Sequence, residues 1–338
     1  MNPLVTYVIT NYNYGHFLEQ SVRSLLDQTF KELEVIVVDD HSSDDSLAVL
    51  DRLAGDKRVV VVRHSVNLGN RVGDNEGIAL ARGEYVGTLD ADDFALKPYA
   101  VARQVDVLDK HPDAGFVYTA FSFVDERGEA FRLFRPWANN YVRQGLAEFA
   151  RLIEGNYISH SGTLARRSCL RSIGGYDLDL SYAGDYDVWL RLCAQYNVGY
   201  LNEPLYSYRV HTRNMSNGGI SPHLANAQLI RVINRAFDSL PAAAPEVLHK
   251  RRSAAVRHAL LAASSGDRAH GRTKRSLLGL LDAFWRYPDL LRTRSCHAAL
   301  GKLTLQTLIG YPRYERLAAW RQSKAQGGDH QIEMPLVS

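Results

Sequence analysis

Asp90-Ala91-Asp92-Asp93 closes an apolar run, Tyr85-Val86-Gly87-Thr88-Leu89, and Asp39-Asp40 closes another, Leu33 to Val38. Acidic clusters at the carboxyl ends of two buried strands converge on one edge of a parallel sheet, where open α/β folds take their ligands. Carboxylates packed this closely repel one another and call for a cation, and hard oxygen donors on a loop suit Mg²⁺ or Mn²⁺ better than zinc. A divalent ion so held keeps sites for two diphosphate oxygens, so a phosphorylated substrate follows. The same acidic loop has the composition of a cap for the helix near Pro98, which is the structural alternative.

Other residues extend this chemistry. Thr10-Asn11-Tyr12-Asn13-Tyr14 follows the first apolar run, where two tyrosines can stack on a nucleobase while Thr10 fixes its edge, or can lie on the surface of a capped helix start. Asp39 and Asp40 sit at a strand edge, placed to accept from a base imide or a ribose hydroxyl, whereas Asp44, Asp45 and Ser46 suit the cap of the next helix. Asp185 stands at the mouth of an amphipathic helix, either as its N-cap or as a carboxylate ready to take a proton from a hydroxyl. Asp187 reads as structural. His211 lies beyond an extended segment, able to complete a metal shell or meet a diphosphate with Arg209 and Arg213 adding charge, and His160 is a candidate for the acceptor side or a hydrogen-bonded structural histidine. Neither GxGxxG after the first strand nor GxxxxGK[ST] anywhere is present, which disfavours a dinucleotide dehydrogenase and a P-loop kinase.

The elements that must position these residues are visible in the periodicity. Val5 to Ile9, Leu33 to Val38, Val59 to Arg63 and Tyr85 to Leu89 read as strands, and His16 to Asp27, Ser46 to Ala54 and Gly73 to Ala81 as helices. This βαβαβαβ order predicts a mostly parallel sheet covered on both faces. A helix over Pro98 to Lys110, a strand over Phe116 to Phe123 and a turn at Asp125 to Gly128 follow. Helices over Val142 to Glu154 and Tyr186 to Gln195, with extended Thr163 to Ala165 and Tyr206 to Val210, then belong to the same unit with mixed topology. Gly218 to Pro222 reads as a linker. Beyond it helices are predicted over Ala225 to Leu240, Val247 to Ala263, Thr273 to Trp285 and Leu300 to Ile309.

In its 338 residues, 46% of them hydrophobic, the chain has enough material for a full core and an appendage. Three cysteines without CxxC spacing argue against a disulfide framework or a zinc knuckle. Without a basic leader or a long apolar run, a cytoplasmic location is expected, at most at the inner face of the membrane. The net charge of +3 hides an asymmetry: Lys250 to Lys324 carries 16 Lys and Arg against 4 Asp and Glu. Such a region can meet anionic lipid, while nucleic acid is not the expected partner, and solvated helix faces are the structural alternative.

Taken in order, VITNYN, SLLDQTFKELEVIVVDDHSSDDS, ARGEYVGTLDADD, IGGYD with GDYDVWLRL, and YRVH make the chain resemble the family 2 glycosyltransferases of GT-A fold, from about Val5 to Ser216. The resemblance implies an α/β, Rossmann-like GT-A domain over residues 1–217; outside it, composition and periodicity predict a basic helical extension over 218–325 and a loose tail over 326–338. It implies transfer of a sugar, with inversion, from a nucleotide-diphosphate donor, a UDP-sugar above others, to a saccharide or lipid-linked saccharide acceptor, commonly with Mn²⁺ or Mg²⁺. A growing bacterial surface polysaccharide or glycolipid is the implied acceptor. Thr10, Tyr12, Asp40 and Asp90 then match donor-binding positions, Asp92 and Asp93 the metal motif, Asp185 the base, and His211 a histidine that reaches the metal. The resemblance departs at Asp74, where many relatives carry a basic residue before Asn75, and Arg71 stands in as the substitute cation. The rivals are a sugar-1-phosphate nucleotidyltransferase, which opens on a glycine-rich loop, and a non-catalytic nucleotide-sugar binder. The C-terminal helices are expected to dock on a membrane or to form a homodimer.

Overall fold

The computed structural model describes residues 4–214, 220–269, 272–292 and 294–309. Part of the Gly218 to Pro222 linker, the end of the motif series at Ser216 and the tail over 326–338 lie outside them. The chain divides into two compact units, residues 1–219 with 231–252, and 220–230 with 253 onward.

In the first unit strands and helices alternate as β1 Val5–Asn11, α1 Gly15–Leu26, β2 Leu33–Asp39, α2 Ser46–Leu53, β3 Val59–Arg63, α3 Asn70–Leu80 and β4 Tyr85–Thr88. There follow α4 Ala100–Lys110, β5 Ala114–Val124, β6 Ala130–Phe134, β7 Tyr141–Arg143, α5 Gly145–Leu152, β8 Thr163–Arg166, α6 Arg167–Ser172, α7 Gly184–Cys193 and β9 Asn197–Arg209. One sheet runs β3-β2-β1-β4-β8-β5-β9-β7, with β6 on β5. β3, β2, β1 and β4 are mutually parallel, whereas β8 is antiparallel to both neighbours.

β2 is buried along its whole length and β1 almost so, as the uninterrupted apolar runs require of strands covered on both faces. From β1 the chain builds outward through β2 to β3, then returns to place β4 on the other side of β1. That reversal opens a crevice at the carboxyl ends of β1 and β4, where the loops carrying Tyr12 and Asp90 emerge. Gly77 lets α3 lie against β1, because a Cβ there would stand 2.3 Å from a Val8 methyl. The sheet is tied across its width by the Tyr7 and Tyr206 hydroxyls, 2.5 Å apart, which share Gln104 of α4. α7 is buried nearly all round, with Trp189 stacked on Phe116 at 5.6 Å, so the helix that begins beside Asp185 is fixed in the core.

The structure departs from the periodicity at three places. The segment Tyr141 to Arg143 is not helical but pairs antiparallel with β9, and the helix starts only at Gly145. The extended Tyr206 to Val210 is the end of a 13-residue strand that lies parallel to β5. The predicted helix over Val247 to Ala263 is interrupted at Lys250 and Arg251.

The remaining helices are α8 Pro222–Asp238, α9 Glu246–His249, α10 Arg252–Ala269, α11 Thr273–Arg286 and α12 Arg294–Ile309, with a 3-10 turn over Pro288–Arg292. Residues of α8 within the first unit dock by Arg231 and Arg235 on Asp177 and by Phe237 on Phe149. In the second unit Asp282 accepts from His223, Asn226 and Arg286. Among the described residues no helix is long and apolar enough to cross a membrane.

Candidate active site

The loop after β1 is stitched to the loop after β2. Asn11 donates to Asp39 at 2.7 Å, and the Ser42 hydroxyl and amide close on the same carboxylate. Asp39 is thereby a structural hub. Asp40 accepts from the Leu68 and Gly69 amides at 2.7 and 2.8 Å and meets His64 at 2.8 Å, so it holds the turn that leads into α3. His64 also meets Glu76, and these two acids outweigh burial and raise its pKa. Tyr12 is 49% exposed at the crevice mouth, as a stacking surface requires. Thr10 is partly buried against α3, while Tyr14 turns its ring edge-on to His211 at 5.5 Å.

The loop after β4 gathers its three carboxylates with different partners. Asp90 meets His160 Nδ1 at 3.0 Å and accepts from the Ser161 hydroxyl. Asp92 meets His211 Nε2 at 2.9 Å, and Asn214 donates to the same oxygen. Asp93 spends both oxygens on the fold, one on the Ser161 hydroxyl at 2.5 Å and one on the Arg209 amide at 2.6 Å. Burial raises the pKa of Asp92 and raises that of Asp93 further, with the neighbouring carboxylates adding to both. Asp90 moves the other way, because His160 and Arg71 overcome its desolvation.

Hard oxygens of unequal burial beside an imidazole are a donor set that fits Mg²⁺ or Mn²⁺. Among the described residues no three such groups already share one ligating shell. Asp92 is buried beside His211, and Asp90 is the most exposed of the three carboxylates, its side chain 40% accessible.

α3 joins these loops to Asp185. Arg71 in its first turn donates to Asp74 at 2.8 Å, lies over the Tyr176 ring at 5.1 Å, and has its charge reinforced by Asp74, Asp185 and Asp90 against the cost of burial. Gly184, beside Asp185, lets Arg71 lie close to α7: a Cβ there would stand 2.6 Å from Arg71 Nε, so a larger residue would require the guanidinium to shift. Asn75 spends its amide on the backbone N–H and carbonyl of Tyr176 and so fixes that ring. Asp185 is not an N-cap: it lies in the first turn of α7, half-buried, and accepts from Asn156 at 3.2 Å. Asp187 is structural as read, paired with Arg191 at 2.5 Å.

Around Arg71, four buried polar atoms lack a hydrogen bond: Arg71 Nε, Asp74 Oδ1, His160 Nε2 and the Tyr176 hydroxyl. Buried polar atoms are almost always paired, so four together mark a place organised for something other than the resting fold. The structure therefore brings Asp90, His160 and Asp185 round Arg71 and Asp74 of α3, sets Asp92 on His211, and has Asp40 hold the turn that leads into α3. Arg209 is a correction. Expected to add charge near a diphosphate, it is buried between Phe17 and Phe94 and donates to the carbonyls of Asp92, Asp125 and Glu126. Tyr176 and Asn156 were not singled out from sequence. Tyr176 does lie in the IGGYD motif, whereas nothing local marks Asn156.

The chain is similar to several known proteins. An uncharacterized glycosyltransferase of Methanocaldococcus jannaschii is 28% identical over 215 residues, 62% of this chain and 72% of its own. Chondroitin synthase of Escherichia coli is 31% identical over 63% of this chain, a match that spans only 30% of that protein's length. Among solved structures, Staphylococcus aureus TarS 1-349 in complex with UDP-GlcNAc superposes with a TM-score of 0.67 at 17% identity, covering 97% of this chain and 93% of that one. The mannosyltransferase PcManGT from Pyrobaculum calidifontis, in complex with GDP-Man and Mn²⁺, gives 0.54 at 20% identity over 91% and 88%. These likenesses establish the GT-A fold. The family described as Glycosyl transferase family 2 matches residues 6–174, half of the sequence, and the chain belongs to it: it is a glycosyltransferase.

Proposed function

We propose that the chain transfers a sugar from a UDP-sugar to an acceptor hydroxyl with inversion, in the synthesis of a bacterial surface polysaccharide or glycolipid. The observation that carries this reading is the convergence of Asp90 and Asp185 on Arg71, beside four buried polar atoms that lack a hydrogen bond. A hydroxyl-rich sugar offers both donors and acceptors to such a set. Tyr12 and Thr10 would hold the base, Asp40 the turn that faces it, and Arg71 and Asn75 the side of the cleft next to the sugar.

Asp92, with Asp93 beside it and His211 behind, would hold Mn²⁺ or Mg²⁺, which when bound supplies Lewis-acid neutralisation of the diphosphate. Asp185, oriented by Asn156, takes the proton of the acceptor hydroxyl as that oxygen attacks the anomeric carbon. The nucleoside diphosphate leaves from the opposite face, so the anomeric configuration inverts. His160 braces Asp90 and lines the sugar side. A nucleotidyltransferase is the poorer reading, since Tyr12-Asn13-Tyr14 stands where that chemistry needs glycine-rich backbone.

Thermal unfolding in the presence of UDP-sugars and GDP-sugars, with and without Mn²⁺, tests donor class. At a ligand concentration of 100 Kd the stabilisation is about 2.7 kcal/mol. We expect it for a UDP-sugar with Mn²⁺, and no stabilisation by any nucleotide sugar would remove the reading.

The C-terminal helices we assign to an anionic bilayer surface. α11 exposes Leu277, Leu278, Leu281 and Trp285, the last 78% exposed, beside Lys274, in a region with the basic surplus noted above. Vesicles containing anionic lipid should sediment the protein at low salt and release it at high salt. Protein that stays in the supernatant, or a dimer in light scattering that buries Trp285, would assign the stripe elsewhere.

A further inference from the structure

Beyond the donor cleft, the elements that hold Asp185 also hold a cationic platform. Tyr186, the residue after Asp185, donates to the Leu152 carbonyl at 2.7 Å and so ties the start of α7 to the end of α5. The loop that leaves α5 brings Asn156 onto Asp185. One residue before Leu152, Arg151 is exposed and lays its guanidinium over the indole of Trp137 at 4.6 Å. The indole is fixed in turn: its N–H donates to Tyr118 at 2.8 Å, and Tyr157 stands perpendicular to it at 5.5 Å.

Beneath this surface lies Glu148, fully buried, which accepts from the hydroxyls of Tyr118, Tyr141 and Tyr157 and from Arg143. A buried carboxylate that collects three phenols and a guanidinium from four places in the sequence is an anchor, and it makes the aromatic wall rigid. The neighbouring acids are already engaged, Glu148 by Arg143 and Glu154 by Arg251. Arg151 is therefore not engaged by these acids, and it lies on the helix whose following loop carries Asn156 onto Asp185.

A guanidinium stacked on an aromatic ring turns its N–H edge outward in a fixed plane, and that fork fits the two oxygens of a carboxylate or a phosphate. We propose that Arg151 on Trp137 binds an oxyanion of the acceptor, so that the acceptor is an anionic glycan, carrying either uronate carboxylates or polyol phosphates. The inference rests on Asp185 marking the acceptor side, as proposed above.

The test uses the full chain with donor and Mn²⁺, and three oligosaccharides of equal length: one containing uronate, one a polyol-phosphate oligomer, one a neutral glucan. One anionic oligomer should bind at least about tenfold more tightly than the glucan and lose that advantage with added salt. Which of the two does so identifies the oxyanion. Arg151→Gln should abolish the preference, and Arg151→Lys should restore part of it, because charge returns without the fork. Donor-induced thermal stabilisation should be the same in all three proteins. Equal or tighter binding of the glucan, or an unchanged preference in Arg151→Gln, overturns the proposal while leaving the transferase reading intact. Loss of donor stabilisation in the unsubstituted protein would instead strike the donor reading.

Discussion

Replacing Asp185 by Asn is expected to lower kcat by about 10²- to 10⁴-fold, the usual contribution of a positioned general base. Donor binding should hold. The substitution keeps the shape of the side chain and removes only its ability to accept a proton, and the surrounding helix gives it little freedom to adapt, with Val188 to Cys193 buried beneath it. The Asn156 amide that now donates to the carboxylate can donate equally to the new carbonyl oxygen. A structural role for Asp185 would show as reduced stability with modest loss of turnover. Unchanged turnover at full donor occupancy would remove Asp185 from the mechanism altogether.

Asp92→Asn carries the second large effect. It should cost about 100-fold or more in metal-dependent donor affinity, since the carboxylate proposed above to ligate would offer a neutral oxygen in place of an anion. Thermal stabilisation by UDP-sugar with Mn²⁺ would largely vanish, a readout that does not depend on turnover. In the absence of metal the sign reverses. Asp92 and Asp93 have pKa values above the ordinary 3.8, burial being the main cause and neighbouring carboxylates the next. The folded protein thus binds protons there that the unfolded chain releases, and these two groups favour folding less as pH rises from that value through their raised folded ones. Removing the Asp92 charge should therefore make the metal-free protein more stable at neutral pH. Mn²⁺-dependent stabilisation that survives intact would place the cation elsewhere.

How much of this was legible in the sequence depended on whether the signal was local. β3 was readable at Val59–Arg63 because four consecutive valines bounded by charged residues leave little else to form. The first half of the sheet was readable for the same reason, and with it the crevice edge where Asp40 and Asp90 emerge. In the second half β5 and β8 were readable at Phe116 to Phe123 and Thr163 to Ala165, whereas β6 and β7 were not. β7 is three residues long and is a strand only because β9 lies beside it, while β6 is largely exposed and borrows its order from β5. Arg209 shows the same limit within the site. Its position next to His211 suggested a ligand contact, whereas Phe17 and Phe94, remote in sequence, decide that it is buried. Glu148 is subtler still, since its four partners become neighbours only in the folded chain.

The bracing of the acidic loop by the far end of β9 also bears on how the protein is made. Asp92 and Asp93 take their partners from His211 and Arg209, more than a hundred positions later. A chain emerging from the ribosome must therefore carry Asp92 without its imidazole, and Asp93 with only its Ser161 contact, until β9 is made, and contacts of such long sequence separation form slowly. The acidic centre is consequently among the last features to mature. A nascent chain halted before Arg209 would own a nearly complete parallel sheet and yet be unable to assemble the centre that sheet exists to carry.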